Sequence, residues 1–206
     1  MKEIIPILER SPVIPVAVIR AGTPARELAG ALLAGGIPII EVTLRTPEGL
    51  AAIAEIKREI GGICTGAGTV WTAQEALKAI EAGADFVVSP GRADEVFKIC
   101  RMHGVPYLPG VQTVSEAAYW QRQGLAAVKF FPAGVAGGVA ALEAFSSVLP
   151  ELKFCPTGGI SAATAPDYLA LPAVPCVGGS WLLDQKAIAA GDWSRITQLA
   201  AEASRL

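Results

Sequence analysis

Short apolar runs rich in β-branched residues alternate with longer alanine-rich stretches along the whole chain. The runs are Val13–Ile19, Ile37–Thr43, Ile63–Ala67, Asp85–Ser89, Val105–Pro109, Ala126–Phe131, Leu152–Thr157 and Pro175–Gly179. Their near-continuous apolar character predicts strands covered on both faces, as in a parallel sheet. Between them, Thr23–Ala34, Pro47–Ile60, Thr72–Ala82, Ala93–His103, Ser115–Gln123 and Ala187–Ala203 carry apolar residues at helical spacing. Thr72 precedes Glu75, and Thr113 or Ser115 opens the run containing Glu116, which are capping signals for helix starts. Gly35, Gly83 and Gly124 fall where helices should stop.

Strand–helix units repeat with no break in composition, which predicts one α/β domain over residues 1–206. The expected fold is a (β/α)8 TIM barrel close to the lower size limit of roughly 200 residues. The residues ahead of the first strand are expected to form an extra N-terminal helix that plugs the barrel base. A doubly wound open sheet is the alternative, and it calls for a GxGxxG turn after the first strand. The chain has Arg20-Ala21-Gly22-Thr23-Pro24 there instead.

Composition removes several function classes. The 206 residues are 52% hydrophobic and 17% charged with a formal net charge of −2, and no basic run offers a nucleic-acid footprint. The longest uncharged stretch, Tyr168–Leu183, is broken by two prolines and a Gly-Gly pair. It falls short of the roughly 20 apolar residues a membrane span needs. Met1-Lys2-Glu3 leads into a stretch interrupted by Glu9 and Arg10, unlike a secretory signal. A soluble cytoplasmic protein is expected. Cys64, Cys100, Cys155 and Cys176 are widely spaced with no CxxC pair and read as small apolar core residues in a reducing compartment.

Polar residues gather at one end of the strands, where barrel enzymes keep their reactive groups. Lys129 lies in Ala127-Val128-Lys129-Phe130-Phe131-Pro132. Desolvation there favours the neutral amine, the nucleophile of Schiff-base catalysis on a carbonyl. The second run ends Glu41-Val42-Thr43-Leu44-Arg45, and alternation along the strand sets Glu41, Thr43 and Arg45 on one face. An intrachain ion pair capping the barrel fits that pattern too. Thr69, in Gly66-Ala67-Gly68-Thr69-Val70, can offer a hydroxyl to a carboxylate ligand. Ser89-Pro90-Gly91 reads as a loop. Thr157-Gly158-Gly159 and Gly178-Gly179-Ser180 end the last two strands, where backbone N–H groups commonly hold phosphate. The single histidine, His103, ends a helix on the opposite side of the barrel, which argues against a zinc aldolase or a histidine-dependent hydrolase. Lys153 begins its strand and lies near the wrong rim.

These motifs, in this order and with Phe154-Cys155-Pro156 and Ser180-Trp181 flanking the last two, resemble the 2-dehydro-3-deoxy-6-phosphogluconate (KDPG) and 4-hydroxy-2-oxoglutarate (KHG) aldolase family along nearly the whole chain. The resemblance implies a class I aldolase of the Entner–Doudoroff route, a homotrimer with a keto-acid substrate and no cofactor or metal. By motif, Lys129 forms the Schiff base and Glu41 is the general acid–base. Arg45 and Thr69 hold the pyruvyl carboxylate. Thr157, Gly158, Gly159, Gly178, Gly179 and Ser180 bind phosphate, and Pro90 and Phe131 wall the pocket. Arg45 is expected beside Lys129. Family members often carry lysine after the counterpart of Gly137-Gly138-Val139, where this chain has Ala140 and Ala141. Weaker phosphate attraction there leaves room for KHG cleavage. A phosphosugar isomerase or epimerase, or a non-catalytic phosphate-binding barrel, shares the strand-end loops without needing an imine.

Overall fold

The computed structural model describes residues 3–206. Strands β1 (Val13–Ala17), β2 (Ile39–Thr43), β3 (Cys64–Gly68), β4 (Phe86–Val88) and β5 (Tyr107–Leu108) alternate with helices α2 (Ala25–Ala34), α3 (Gly49–Glu59), α4 (Ala73–Glu81) and α5 (Asp94–His103). Then follow β6 (Gly110–Val111), α6 (Val114–Arg122), β7 (Ala127–Phe130), α7 (Gly138–Val148), β8 (Lys153–Pro156), α8 (Ala165–Leu169), β9 (Val177–Gly179), α9 (Gln185–Ala190) and α10 (Trp193–Ala203).

Every strand pair is parallel, as the doubly apolar runs require. The ladder is not one uninterrupted ring. It forms a six-stranded sheet in the order β5-β4-β3-β2-β1-β9 and a three-stranded sheet β6-β7-β8, a curled α/β layer rather than a continuous barrel. The fifth predicted strand, Val105–Pro109, shortens to β5, and pairing resumes past its end as β6: Pro109 between them has no N–H to donate, and its carbonyl accepts from the Lys129 N–H. On the other side β8 and β9 share only the bridge Thr157↔Gly178.

The N-terminal segment also differs from the expectation. It forms a single helical turn, α1 (Ile5–Leu8), because Pro6 suits only a first turn and the chain enters β1 a few residues later. Met1 and Lys2 of the expected helix lie outside the described residues. The C-terminal helix is two: Gly191 takes a left-handed φ of 67° after α9, and Asp192 caps α10 by accepting from the Arg195 N–H. Helices α4 and α6 both start on capping boxes, with Thr72 and Glu75 in one and Thr113 and Glu116 in the other.

One hydrophobic cluster unites both sheets and the helices around them. Gly35 shows how closely the layers pack: a Cβ there would sit 2.6 Å from the Thr197 carbonyl oxygen, so α10 lies directly on the end of α2. Of the helix-end glycines, Gly83 and Gly124 take φ of 93° and 86°, while after α2 it is Gly36 that turns left-handed. All four cysteines are buried and free.

Candidate active site

A cavity of about 500 Å³ opens at the C-terminal ends of the strands. Lys129 comes from the third position of β7 and Glu41 from the third position of β2, strands that belong to different sheets. Their side chains meet across the interior. Lys129 Nζ donates to Glu41 Oε1 at 3.0 Å and Oε2 at 3.2 Å. The two side chains are only 6% and 4% exposed, so each charge has exchanged water for the other.

Gly68 makes that meeting possible. A Cβ on Gly68 would lie 2.7 Å from both Cγ and Cδ of Glu41, inside van der Waals contact, so the carboxylate occupies the space a side chain would take. Phe131, two residues along from Lys129, places its ring centroid 5.7 Å from Nζ, within cation–π range. The charge beside Lys129 is therefore the Glu41 carboxylate. Arg45 is not on the strand: β2 stops at Thr43, and Arg45 sits exposed in the turn beyond, where it lines the cavity and makes no ion pair among the described residues. Thr43 turns away from the cavity and donates to the Ala17 carbonyl at 3.0 Å.

The remaining motif residues converge on the same cavity: Thr69 and Pro90 on one side, Thr157, Gly158, Gly159, Gly178, Gly179 and Ser180 on the other. The two glycine pairs exist for different reasons. Gly158 and Gly159 hold φ of 94° and 76°, a conformation that disfavours side chains. Gly178 and Gly179 have ordinary φ but no room: a Cβ would lie 2.8 Å from Thr157 Cγ2 in one case and would overlap the Trp181 ring in the other. Behind this wall the Cys176 thiol donates to the Cys155 sulfur at 3.7 Å, which lowers the Cys155 pKa and raises that of Cys176. Burial opposes the Cys155 shift, and the paired Lys129 and Glu41 charges push it in opposite directions.

The model of the aldolase family described as KDPG and KHG aldolase matches residues 4–199. The chain belongs to this family. Its relatives include the KHG/KDPG aldolase of Escherichia coli K12, 46% identical over 197 residues that cover 96% of this chain and 92% of that protein. Among solved structures, KDPG aldolase from Legionella pneumophila with pyruvate captured as a covalent carbinolamine superposes with a TM-score of 0.95 at 43% identity, covering 98% of both chains. The Zymomonas mobilis enzyme with 3-phosphoglycerate gives 0.90 at 43% identity, covering 97% of this chain and 94% of that one. As a member of the KDPG and KHG aldolase family, the chain is a class I aldolase, a carbon–carbon lyase working through a lysine Schiff base.

Four cavity residues of this aldolase were given no role from the sequence: Val16, Val18, Trp71 and Ile160. Val16 and Val18 are two apart on the first predicted strand and half-buried between fully buried neighbours, a period-two signal that marks the cavity face. Trp71 is 48% exposed and covers Gly91, and nothing in its local pattern marks it. Lys153 donates to the Pro172 carbonyl at 2.9 Å at the start of β8, away from the cavity. His103 closes α5 just before the left-handed Gly104.

Proposed function

We propose that this aldolase cleaves KDPG to pyruvate and glyceraldehyde 3-phosphate, and in the same cavity cleaves KHG to pyruvate and glyoxylate. The observation that carries the proposal is the buried Lys129–Glu41 pair at 3.0 Å at the cavity floor. Transfer of the ammonium proton to the carboxylate frees a nucleophilic amine next to its own proton acceptor.

The neutral amine attacks the C2 carbonyl, the carbinolamine loses water, and a protonated imine results. Glu41, once ionised again, removes the C4 hydroxyl proton. The C3–C4 electron pair flows into the imine, releasing the aldehyde and leaving an enamine. Protonation at C3 and hydrolysis of the imine then release pyruvate and restore Lys129. Arg45 and Thr69 hold the carboxylate, through a guanidinium fork and a hydroxyl. The distal phosphate lies on Thr157, Gly158, Gly159, Gly178, Gly179 and Ser180. Arg45 and Lys129 are the only cationic side chains among the cavity residues, so phosphate is held by backbone donors and hydroxyls. Pro90 and Phe131 keep water from the imine.

The two sheets are read as arcs of one closed (β/α)8 barrel forming a single domain over residues 1–206, with α1 at its base. Two observations support closure: only Pro109 separates β5 from β6, and Thr157↔Gly178 joins β8 to β9. A homotrimer fits the exposed Val135 and Val148 near and on α7, which are 83% and 63% accessible in the single chain. The buried free thiols and the sugar-acid substrate fit the cytoplasm. The test is pyruvate release from KDPG, its galactonate epimer and KHG, with Lys129→Ala as control. Release from KDPG and KHG that vanishes in the variant is expected. No release from either by the wild type, or an active variant, overturns the proposal.

A further inference from the structure

The turn after β3 carries a local strain, and a buried pair of hydroxyls lies beside it. Thr69 has φ of 60°, the one non-glycine residue of positive φ among those described. A β-branched residue disfavours that region, and glycine or asparagine would adopt it more readily. A threonine kept there implies that its side chain is needed and that the neighbouring structure enforces the backbone.

Hydrogen bonds flank the turn on both sides. The Leu44 N–H donates to the Gly68 carbonyl at 2.8 Å, and the Val70 N–H donates to the Val88 carbonyl at 3.1 Å. The Val70 carbonyl accepts from Ser89 Oγ at 2.6 Å. Ser89 has a single proton and gives it to Val70, so the 2.9 Å contact with Tyr107 is made by the tyrosine O–H donating to Ser89 Oγ. Ser89 and Tyr107 are both fully buried. Burial pushes the Tyr107 phenol well above its ordinary range, so it remains a donor at working pH. Edge-on packing of Trp120, with ring centroids 5.8 Å apart, fixes the tyrosine ring.

We propose that Tyr107 and Ser89 are positioning residues for the substrate carboxylate, holding Thr69 in the left-handed turn from which its side chain faces the cavity. The inference rests on the aldolase reading and deepens it.

Ser89→Ala removes the bond to the Val70 carbonyl and the acceptor of the Tyr107 hydroxyl, and losing the one that reaches the turn corresponds to about a tenfold change in an equilibrium constant. Ser89→Ala should therefore raise the KM for keto acid about tenfold, while kcat stays within about threefold. The pyruvate concentration that half-saturates borohydride trapping should rise by the same factor. Tyr107→Phe keeps the ring and removes only the donor, so it should shift both quantities in the same direction by about threefold. It carries the test if Ser89→Ala does not fold. Because Ser89 acts through Thr69, the double variant Thr69→Ala/Ser89→Ala should bind no more weakly than Thr69→Ala alone. Unchanged KM in the folded variants, or effects of Ser89 and Thr69 that multiply, overturns the relay while wild-type trapping keeps the aldolase reading intact. A wild type that traps no pyruvate overturns the aldolase reading, and the relay with it.

Discussion

Gly68→Ala tests whether the meeting of Glu41 and Lys129 depends on a missing side chain. The new Cβ would lie 2.7 Å from Cγ and Cδ of Glu41. Carbon atoms pack at about 3.5–4.0 Å, so the carboxylate must retreat by about 1 Å. It starts 3.0 and 3.2 Å from Lys129 Nζ, and that retreat breaks or badly stretches both hydrogen bonds. A misplacement of that size at a reacting group costs about 100-fold in rate, or about 2.7 kcal/mol of barrier. Gly68 does not occupy the left-handed region, so alanine brings no backbone strain to confuse the result. The assay is kcat for pyruvate release, followed through lactate dehydrogenase, with a thermal melt for each protein. Gly66→Ala is the control: it lies on the same face, but its Cβ would strike the Phe86 ring rather than the carboxylate, so stability should fall first. A folded Gly68→Ala protein whose kcat stays within about threefold of wild type would refute the steric argument.

Gly178→Ala should displace the Thr157 side chain, whose Cγ2 would be 2.8 Å from the added methyl, and raise KM for KDPG about tenfold while sparing KHG, which has no phosphate. Equal losses on both substrates would place phosphate elsewhere. Asp94 has its carboxyl held below the ordinary range, first by the Arg92 hydrogen bond at 2.7 Å, with a further hydrogen bond from the Tyr119 hydroxyl. A depressed folded pKa gives stability that is present above the unfolded value and lost as pH falls through the folded one. Asp94→Asn should therefore lower the melting temperature near pH 7 and flatten its decline below about pH 4, and a parallel decline in both proteins would contradict this. Burial pushes the Cys64 thiol up to about 11 and the Cys100 thiol up to about 12, so both should ignore a thiol reagent at pH 8 until denaturant is added. Rapid labelling of either in the native protein would count against the core packing.

Much of the site was legible because its chemistry demands uncommon residues in apolar surroundings. A lysine between Val128 and Phe130, or a glutamate after Ile39-Ile40, has no place in a core unless paired or functional. Each glycine pair likewise falls at or just past the end of a predicted strand. What the pattern missed is apolar: Val16, Val18, Trp71 and Ile160 look like ordinary core or surface residues until the cavity assigns them a face. Arg45 was placed on the strand because alternation has no built-in stop, whereas the ladder ends at Thr43. The split at Pro109 and the helix break at Gly191-Asp192 were written in residues of known meaning, a missing N–H and a stop followed by a cap. Helix α7 was not read from the sequence because it opens on Gly137-Gly138 and has apolar residues on several sides, of which only Leu142 is buried. The positive φ of Thr69 could not be read at all, since nothing in the Gly68-Thr69-Val70 sequence calls for it.

The central claim is that Lys129 forms the covalent bond to substrate. The direct measurement is borohydride reduction in the presence of pyruvate, followed by peptide mapping of the protein by mass spectrometry. One carboxyethyl group on Lys129, absent without pyruvate and absent in Lys129→Ala, is the predicted result. No adduct, or an adduct on Lys153 in place of Lys129, would contradict the account.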